Sequence, residues 1–203
     1  MTKKILILII IFIFLIGTAV FLYRNNFLRQ DGSSGNGENT YDIRLYLMER
    51  NLFRTLENSN LPLNDINLTT EKSDRVSLSK IIQEKSHKFI FYAGLEYCNS
   101  CIEYQMPNVK WFSDQIDHNN VIIILHGLTR RDMYIIKQKY GIDCQLASTA
   151  DSLGLPIERE YLPLFLVTDS MLVSKDVFVP LKESIEYNKQ YLNLLIKKYW
   201  SKK

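Results

Sequence analysis

A β-rich apolar run is followed five residues later by the first of two cysteines that stand three positions apart, and a helical pattern begins at these cysteines. Residues 88 to 93 read KFIFYA, and the pair is Cys98 and Cys101 in the stretch EYCNSC. The aromatic and β-branched content of KFIFYA predicts a strand, and residues 99 to 116 read as a helix. The first cysteine is therefore predicted to lie at a helix N-terminus.

The position at a helix N-terminus suggests a redox role for the pair. Unpaired backbone N–H groups and the positive end of the helix dipole stabilise a thiolate there, so Cys98 is the predicted nucleophile. Cys101 lies about one helical turn further on, where it can bond to Cys98 with little backbone movement, and is the predicted resolving thiol. A structural staple is the alternative, but closing so short a loop removes little entropy from the unfolded chain.

A metal site is the other alternative for a C-x-x-C pair. It needs two or more further ligands, and the sequence offers only Cys144, His87, His118 and His126, none at paired spacing with each other. We therefore predict no metal and no other cofactor. Cys144, in GIDCQLAST, is predicted to be a small buried hydrophobic residue in a short edge strand, with a resolving or intermolecular thiol as the alternative.

The N-terminal segment is predicted to span a membrane. Residues 5 to 23 read ILILIIIFIFLIGTAVFLY, without a charge, and as a helix they are long enough to cross about 30 Å of hydrocarbon. Bulky residues follow Gly17, Thr18 and Ala19 where a signal peptidase site would need small ones, which favours an uncleaved signal anchor within residues 1 to 28. The lipid bilayer is thus a predicted partner. A short N-terminal tail usually stays in the cytoplasm, which would place the rest of the chain in the periplasm or outside the cell.

Beyond the anchor, the chain is predicted to form a tether and one folded domain. Residues 29 to 40 (RQDGSSGNGENT) have the composition of a flexible linker, and residues 41 to 203 are the predicted domain. The domain begins with an amphipathic helix over residues 41 to 58, predicted to pack on the domain, with binding of a partner as the alternative. Its apolar positions are Leu45, Met48, Leu52 and Leu56.

Strand-like and helical segments alternate through the predicted domain and end in a hairpin followed by a helix. The predicted strands are residues 66 to 70, 88 to 93, 121 to 125, 164 to 170 and 172 to 179, and the predicted helices are residues 78 to 83, 99 to 116, 129 to 140 and 184 to 200. This order predicts an α/β domain with a mixed central sheet and helices on both faces. The 25 basic and 22 acidic side chains are spread along the chain, so no nucleic-acid partner is predicted.

Over about residues 60 to 200, the chain resembles the thioredoxin superfamily, and within it the membrane-anchored, extracytoplasmic TlpA/ResA-like thiol-disulfide oxidoreductases. The resemblance lies in three segments in the family's order: VSLSKII, KFIFYAGLEYCNSC and YLPLFLVTDS. It implies a thioredoxin-like fold. It also implies a membrane-tethered enzyme that reduces disulfides of substrate proteins with electrons from a membrane donor.

The resemblance also assigns roles to residues around the cysteines. Pro163 is similar to the cis-proline that begins a strand and faces the cysteines in the family, and Leu162 to the residue whose backbone pairs with an extended substrate. Pro156 competes for the proline role, but the β-rich run follows Pro163 directly. Tyr97 stands where the family usually has tryptophan and is a candidate substrate contact.

Departures from the family pattern concern the motif and the following helix. Asn99 and Ser100 replace the proline-containing pair common between the cysteines, and Pro107 stands six residues after Cys101, where relatives have a proline five after. Many members carry an acid three positions past the second cysteine. Here Glu96 or Glu103 is the candidate proton acceptor, with an exposed, solvated carboxylate as the alternative.

Two other functions remain open from the sequence. A peroxiredoxin-like thiol peroxidase would oxidise Cys98 to a sulfenic acid, but Leu95 stands where such enzymes usually have Thr or Ser. A membrane-anchored binding module that has kept the fold and lost turnover is the non-enzymatic alternative.

Overall fold

The computed structural model describes residues 35–83, 87–94, 99–182 and 184–201. The predicted anchor, residues 1 to 28, lies outside these residues. Within the described ranges, no helix combines the length and the apolar character that crossing a membrane requires. The chain divides between Arg50 and Asn51 into two units, and the sheet described below belongs to the second.

The helices and strands follow in nearly the predicted order. The helices are α1 (Gly35–Asn58), α2 (Leu78–Ile82), α3 (Asn99–Gln115), α4 (Arg130–Tyr140) and α5 (Ile185–Leu195). The strands are β1 (Asn67–Thr70), β2 (Arg75–Ser77), β3 (His87–Ala93), β4 (Val121–His126), β5 (Gln145–Thr149), β6 (Leu164–Asp169) and β7 (Ser174–Phe178). Short 3₁₀ helices cover His118–Asn120 and Pro156–Glu160, and a π-helical turn, Ile196–Trp200, extends α5.

The described strands form one mixed sheet in the order β2-β1-β5-β4-β3-β6-β7. Strands β3, β4 and β5 are parallel, and the other neighbouring pairs are antiparallel. Alternate residues of β3 enter two separate cores: Phe89 and Phe91 face α3 and α5, whereas Ile90 and Tyr92 face α2 and the 3₁₀ helix at Pro156–Glu160. Helices therefore cover both faces of the sheet, as predicted.

Helix α1 differs from the prediction in its start and in the face that it packs. It begins at Gly35, inside the predicted linker, because extending a helix costs far less than initiating one. The division into anchor, tether and domain stays a prediction. The prediction that the apolar face packs on the domain is wrong for Leu52 and Leu56, which are 57% and 67% exposed.

The C-terminal part of α1 packs through polar side chains instead. The Asn51 amide donates to Val179 O (3.0 Å) and accepts from Val179 N (3.2 Å). Asn58 Oδ1 accepts from Ile157 N (3.0 Å). The Val179 groups lie just beyond β7, and Ile157 N lies at the start of a 3₁₀ helix, so both need partners from outside the sheet once they are buried. The side chains that can bond them determine which face of the helix is packed.

The prediction of an edge strand near Cys144 is wrong, because β5 is an interior strand of the sheet. It lies between β1 and β4, because the β1–β2 hairpin covers its open side, and β2 was not predicted from the sequence. Cys144 directly precedes β5 and is 1% exposed within the core that also contains Met133 of α4. Its predicted role as a buried hydrophobic residue is confirmed.

We expect Asn51→Ala to lower the free energy of unfolding by about 2–4 kcal/mol, because it leaves both Val179 backbone groups buried without partners. Leu52→Ala is the matched control one residue away; it should change the free energy by no more than about 0.5 kcal/mol, because Leu52 is exposed. Urea unfolding of both variants measures the difference. Equal losses would contradict the packing of α1 through its polar face.

Burial raises the pKa of the Cys144 thiol to about 12, from an ordinary value of 9.0. The thiol is therefore neutral and shielded at pH 8, and we expect it to resist alkylation in the native chain and to react once guanidinium unfolds it. Mass spectrometry of the alkylated peptides measures this. Because the folded state holds this proton more tightly, the contribution of Cys144 to stability is complete below about pH 9 and is lost as the pH rises towards 12. Rapid native labelling at pH 8 would contradict this placement.

Candidate functional site

The cysteine motif begins, in the sequence, between strand β3 and helix α3. Strand β3 ends at Ala93, and α3 begins at Asn99. Cys101 is half-buried in the first turn of α3. Three predicted site residues, Glu96, Tyr97 and Cys98, lie outside the described residues. The structure thus has the predicted strand before Cys98 and the predicted helix directly after it.

Helix α3 is held against the sheet by an apolar face just beyond Cys101. Its buried residues in this core are Ile102, Met106, Val109 and Phe112. They recur at the spacing of one helix face, so the side of the helix that packs on β3 is fixed from the first turn onwards. The helix runs on through Pro107, which is exposed, although a proline removes one intrahelical hydrogen bond.

The structure places Pro163 at the same end of the sheet as the motif. Strand β6 is antiparallel to β3, with Tyr92 opposite Leu164. Pro163 precedes Leu164 and is buried, so continuing this register places it beside the end of β3, from which the chain leads to the cysteines. Pro156, the competing proline, is exposed and begins a 3₁₀ helix instead of a strand. The substrate-binding roles of Leu162 and Pro163 stay predictions.

A pocket of about 420 Å³ opens at this end of the sheet. Its wall includes Leu162, which is half-buried, together with Gly94 after β3, His126 at the end of β4, and Arg159 and Tyr161. The pocket thus adjoins both the segment that leads to the motif and the segment that precedes β6. Its mixed apolar and polar wall could receive a side chain of a bound polypeptide.

Tyr92 and Glu158 form a hydrogen-bonded pair in the wall of this pocket. The Tyr92 hydroxyl donates to Glu158 Oε2 (2.7 Å), and the same carboxylate accepts from the backbone N–H groups of Leu153 (3.1 Å) and Leu155 (2.8 Å). Burial, together with the bond to Glu158, raises the pKa of Tyr92 far above its ordinary value of 10.0, so its hydroxyl stays a donor. The pair therefore holds the loop that forms one side of the pocket. Its sequence signal is a tyrosine in an otherwise apolar strand, since a buried phenol needs a partner.

Glu103 lies on the exposed side of α3. Its carboxylate forms an ion pair with Lys139 of α4, with Oε1 2.9 Å from Nζ, and both side chains are more than half exposed. This geometry favours the solvated carboxylate over the proton acceptor, although the catalytic role of Glu103 stays a prediction.

A lysine from a distant segment also reaches the motif, and sequence reasoning missed it. Lys182, between β7 and α5, places its Nζ 3.4 Å from Ser100 Oγ and 5.0 Å from the centre of the Tyr104 ring. No sequence signal marks this contact, since Lys182 follows Ser100 by 82 positions.

Metal-binding side chains do not gather at this site in the part of the chain that the structure describes: no group of three or more His, Cys, Asp or Glu side chains there could hold a metal ion. Among the described residues, the Lys182 ammonium and the Tyr104 ring lie at the first turns of the helix that contains Cys101.

No protein-family model and no curated protein matches the chain. Several solved structures are similar to it at low identity. A mutant of PrxQ from Xylella fastidiosa has 11% identity and a TM-score of 0.51, covering 70% of this chain and 96% of that one. The thioredoxin domain of a thiol-disulfide oxidoreductase from Bacteroides vulgatus has 9% identity and a TM-score of 0.49, covering 69% and 96%.

A third similar structure is a secreted disulfide oxidoreductase of Mycobacterium tuberculosis, homologous to DsbE of E. coli, with 12% identity and a TM-score of 0.44 over 64% of this chain and 96% of that one. At these identities a likeness concerns the fold and not the activity. The match at a TM-score of 0.51 agrees with the mixed sheet and its helices described above. The fold of this chain is therefore similar to that of PrxQ, a mixed α/β, thioredoxin-like fold.

Proposed function

We propose that this chain is a thiol-disulfide oxidoreductase whose working couple is Cys98 and Cys101. The observation that carries the proposal is the start of α3 at Asn99, directly after Cys98, with Cys101 half-buried in the first turn. A helix N-terminus stabilises a thiolate, and a thiolate is the species that attacks disulfides. Cys144 is sealed in the core, so it does not compete for this role.

The chemistry is a two-step exchange. The Cys98 thiolate attacks one sulfur of a substrate disulfide, forms a mixed disulfide and releases the other substrate sulfur as a thiolate. The Cys101 thiolate then attacks the Cys98 sulfur, which breaks the mixed disulfide and releases the second substrate thiolate. Two electrons have passed to the substrate, and the protein is left with a disulfide between Cys98 and Cys101. A dithiol donor must reduce this disulfide before the next turnover.

The proposed substrates are proteins with disulfides, bound in extended conformation. Leu162 would pair with the substrate backbone beside Pro163, and Tyr97 would contact it next to Cys98. The turn at Tyr161, whose φ is 55°, directs the chain from the 3₁₀ helix towards Leu162 and β6. The adjoining pocket of about 420 Å³ offers room for one substrate side chain. Glu96 or Glu103 would accept the proton released when a thiol of the motif ionises.

The proposed setting is the outer surface of the cytoplasmic membrane. The uncharged run at residues 5 to 23 would anchor the chain in the lipid bilayer, with the α/β domain in the periplasm or outside the cell. The dithiol donor would then be a membrane protein, because cytoplasmic reductants do not reach that side. Reduction of protein disulfides is the proposed direction of electron flow.

We expect Cys98 and Cys101 to form a reversible two-electron couple at about −250 mV or below, the range of a reductant. The chain is equilibrated in graded thiol-disulfide buffers, and its free thiols are then counted by alkylation and mass, with Cys144→Ala as the control for the third cysteine. A couple at about −120 to −180 mV would contradict the reducing direction. A pair that never closes reversibly would overturn the proposed function.

The order of attack gives a separate prediction. Incubated with a disulfide-containing protein, Cys101→Ser should accumulate mixed disulfides, because the second step is blocked, whereas Cys98→Ser should accumulate none. Non-reducing electrophoresis followed by mass spectrometry identifies the linked cysteine. The reverse pattern would assign the nucleophile to Cys101. Failure of both variants to trap a substrate, with sulfenic acid forming at Cys98 in peroxide, would favour a thiol peroxidase.

A further inference from the structure

Lys182 brings a positive charge to the cysteine motif from a segment remote in sequence. Its Nζ lies 3.4 Å from Ser100 Oγ, and Ser100 is the residue directly before Cys101. Cys98 is two residues before Ser100, so the chain keeps their Cα atoms within about 7 Å of each other. The ammonium group therefore lies at the first turn of α3, which contains Cys101 and directly follows Cys98 in the sequence.

Buried amides from two helices fix the backbone next to Lys182. Leu181 N donates to Asn188 Oδ1 (2.9 Å), and Leu181 O accepts from Asn188 Nδ2 (2.7 Å) and from Gln105 Nε2 (3.4 Å). Asn188 Nδ2 also donates to Gln105 Oε1 (3.1 Å), which joins α5 to α3. Asn188 is 0% exposed and Gln105 is 1% exposed.

The position of Lys182 is thus built into the fold, although its side chain is exposed. Burying amide groups costs free energy unless they are hydrogen-bonded, and here the hydrogen bonds of Asn188 and Gln105 converge on the backbone of Leu181. Because the backbone of Leu181 is fixed, the position of the Lys182 ammonium depends mainly on the torsions of its own side chain. An exposed cation of this kind adds little to the stability of the folded state. Its placement is better explained by an effect on the nearby cysteines.

The charges around the first turn of α3 favour an effect of Lys182 on the cysteines. That turn contains no acidic residue. Glu103 lies further along α3 and is paired with Lys139 of α4, and Tyr104 lies beneath the Lys182 ammonium. Glu96 and Glu183 lie outside the described residues. Among the described groups at the first turn, the net charge that faces the motif is therefore positive.

We propose that Lys182 is a positioning residue that stabilises the thiolate of the cysteine motif by its charge, in addition to the helix N-terminus. The inference deepens the proposed function, since that function uses the thiolate. The thiolate itself forms whether or not the chain turns over. Without the cation, a larger fraction of the motif thiol would be protonated at neutral pH, and its reaction with an electrophile would slow.

The test is the pH dependence of alkylation of Cys98 and Cys101 in the full-length, fully reduced chain, resolved by peptide mass spectrometry and with iodoacetamide as the probe. We expect Lys182→Gln to slow alkylation of the more reactive cysteine about threefold to tenfold below its pKa, which is an upward shift of about half a unit to one unit. The rates should converge at high pH, where the thiol of both chains is ionised. Lys182→Arg keeps the charge and should restore most of the rate.

Lys189→Gln is the matched control, because it removes the same charge from α5, which also packs on α3. Lys189 lies over the Trp111 ring, with Nζ 5.8 Å from its centre, and Trp111 follows Cys101 by ten residues, about 15 Å along the helix. It should leave the profile unchanged. The effect of Lys182→Gln should also shrink in 1 M salt, where the screening length falls to about 3 Å, whereas a purely structural effect should not.

Identical profiles for the wild type and Lys182→Gln would overturn the inference. An equal shift in Lys189→Gln, or no restoration by Lys182→Arg, would overturn it as well. The proposed function is judged separately by reversible closure of the disulfide. A pair that fails to close while Lys182→Gln still shifts the profile would refute the function and leave this inference standing.

Discussion

The whole domain depends on β3 being buried on both faces and hydrogen-bonded on both edges. It pairs with β4 on one side and β6 on the other. Phe89 packs against Phe112 of α3, with ring centres 4.4 Å apart, and against Phe165 of β6, at 5.5 Å. The strand that joins the two cores also determines where α3 begins. Helix α3, which carries Cys101, is therefore held by the core around β3 and cannot shift without disturbing that core.

Elements whose signals are local in sequence could be predicted. The sequence predicts a helix over residues 129 to 140, and α4 has Thr129 and Asp132 in a reciprocal capping box at its start and Gly141 in the left-handed conformation at its end. Strand β4 could also be predicted from its run VIIIL, since a parallel strand that is covered on both faces is apolar throughout. In such segments the residues that decide the structure are neighbours in the chain.

Features that depend on distant partners could not be predicted in this way. The apolar period of α1 predicts an amphipathic helix, but which face packs depends on Asn51 meeting Val179, 128 positions away. The interior place of β5 depends on β1 and on the three-residue strand β2, which is too short to show a period. Tertiary hydrogen bonds outweighed the local pattern in both cases, because a buried backbone group without a partner costs more than an exposed leucine.

The same distinction separates the two proposed sources of thiolate stabilisation at the candidate site. The contribution of the helix N-terminus follows from the succession of β3, motif and α3, so every chain with this arrangement shares it. The contribution of Lys182 comes from an exposed side chain on a connecting segment, held in place by Asn188 and Gln105. Replacing that side chain leaves the buried amides and both cores untouched. The reactivity of the cysteines can therefore change by substitution at position 182 without loss of the fold, whereas a change in the helix start would disturb the packing of β3.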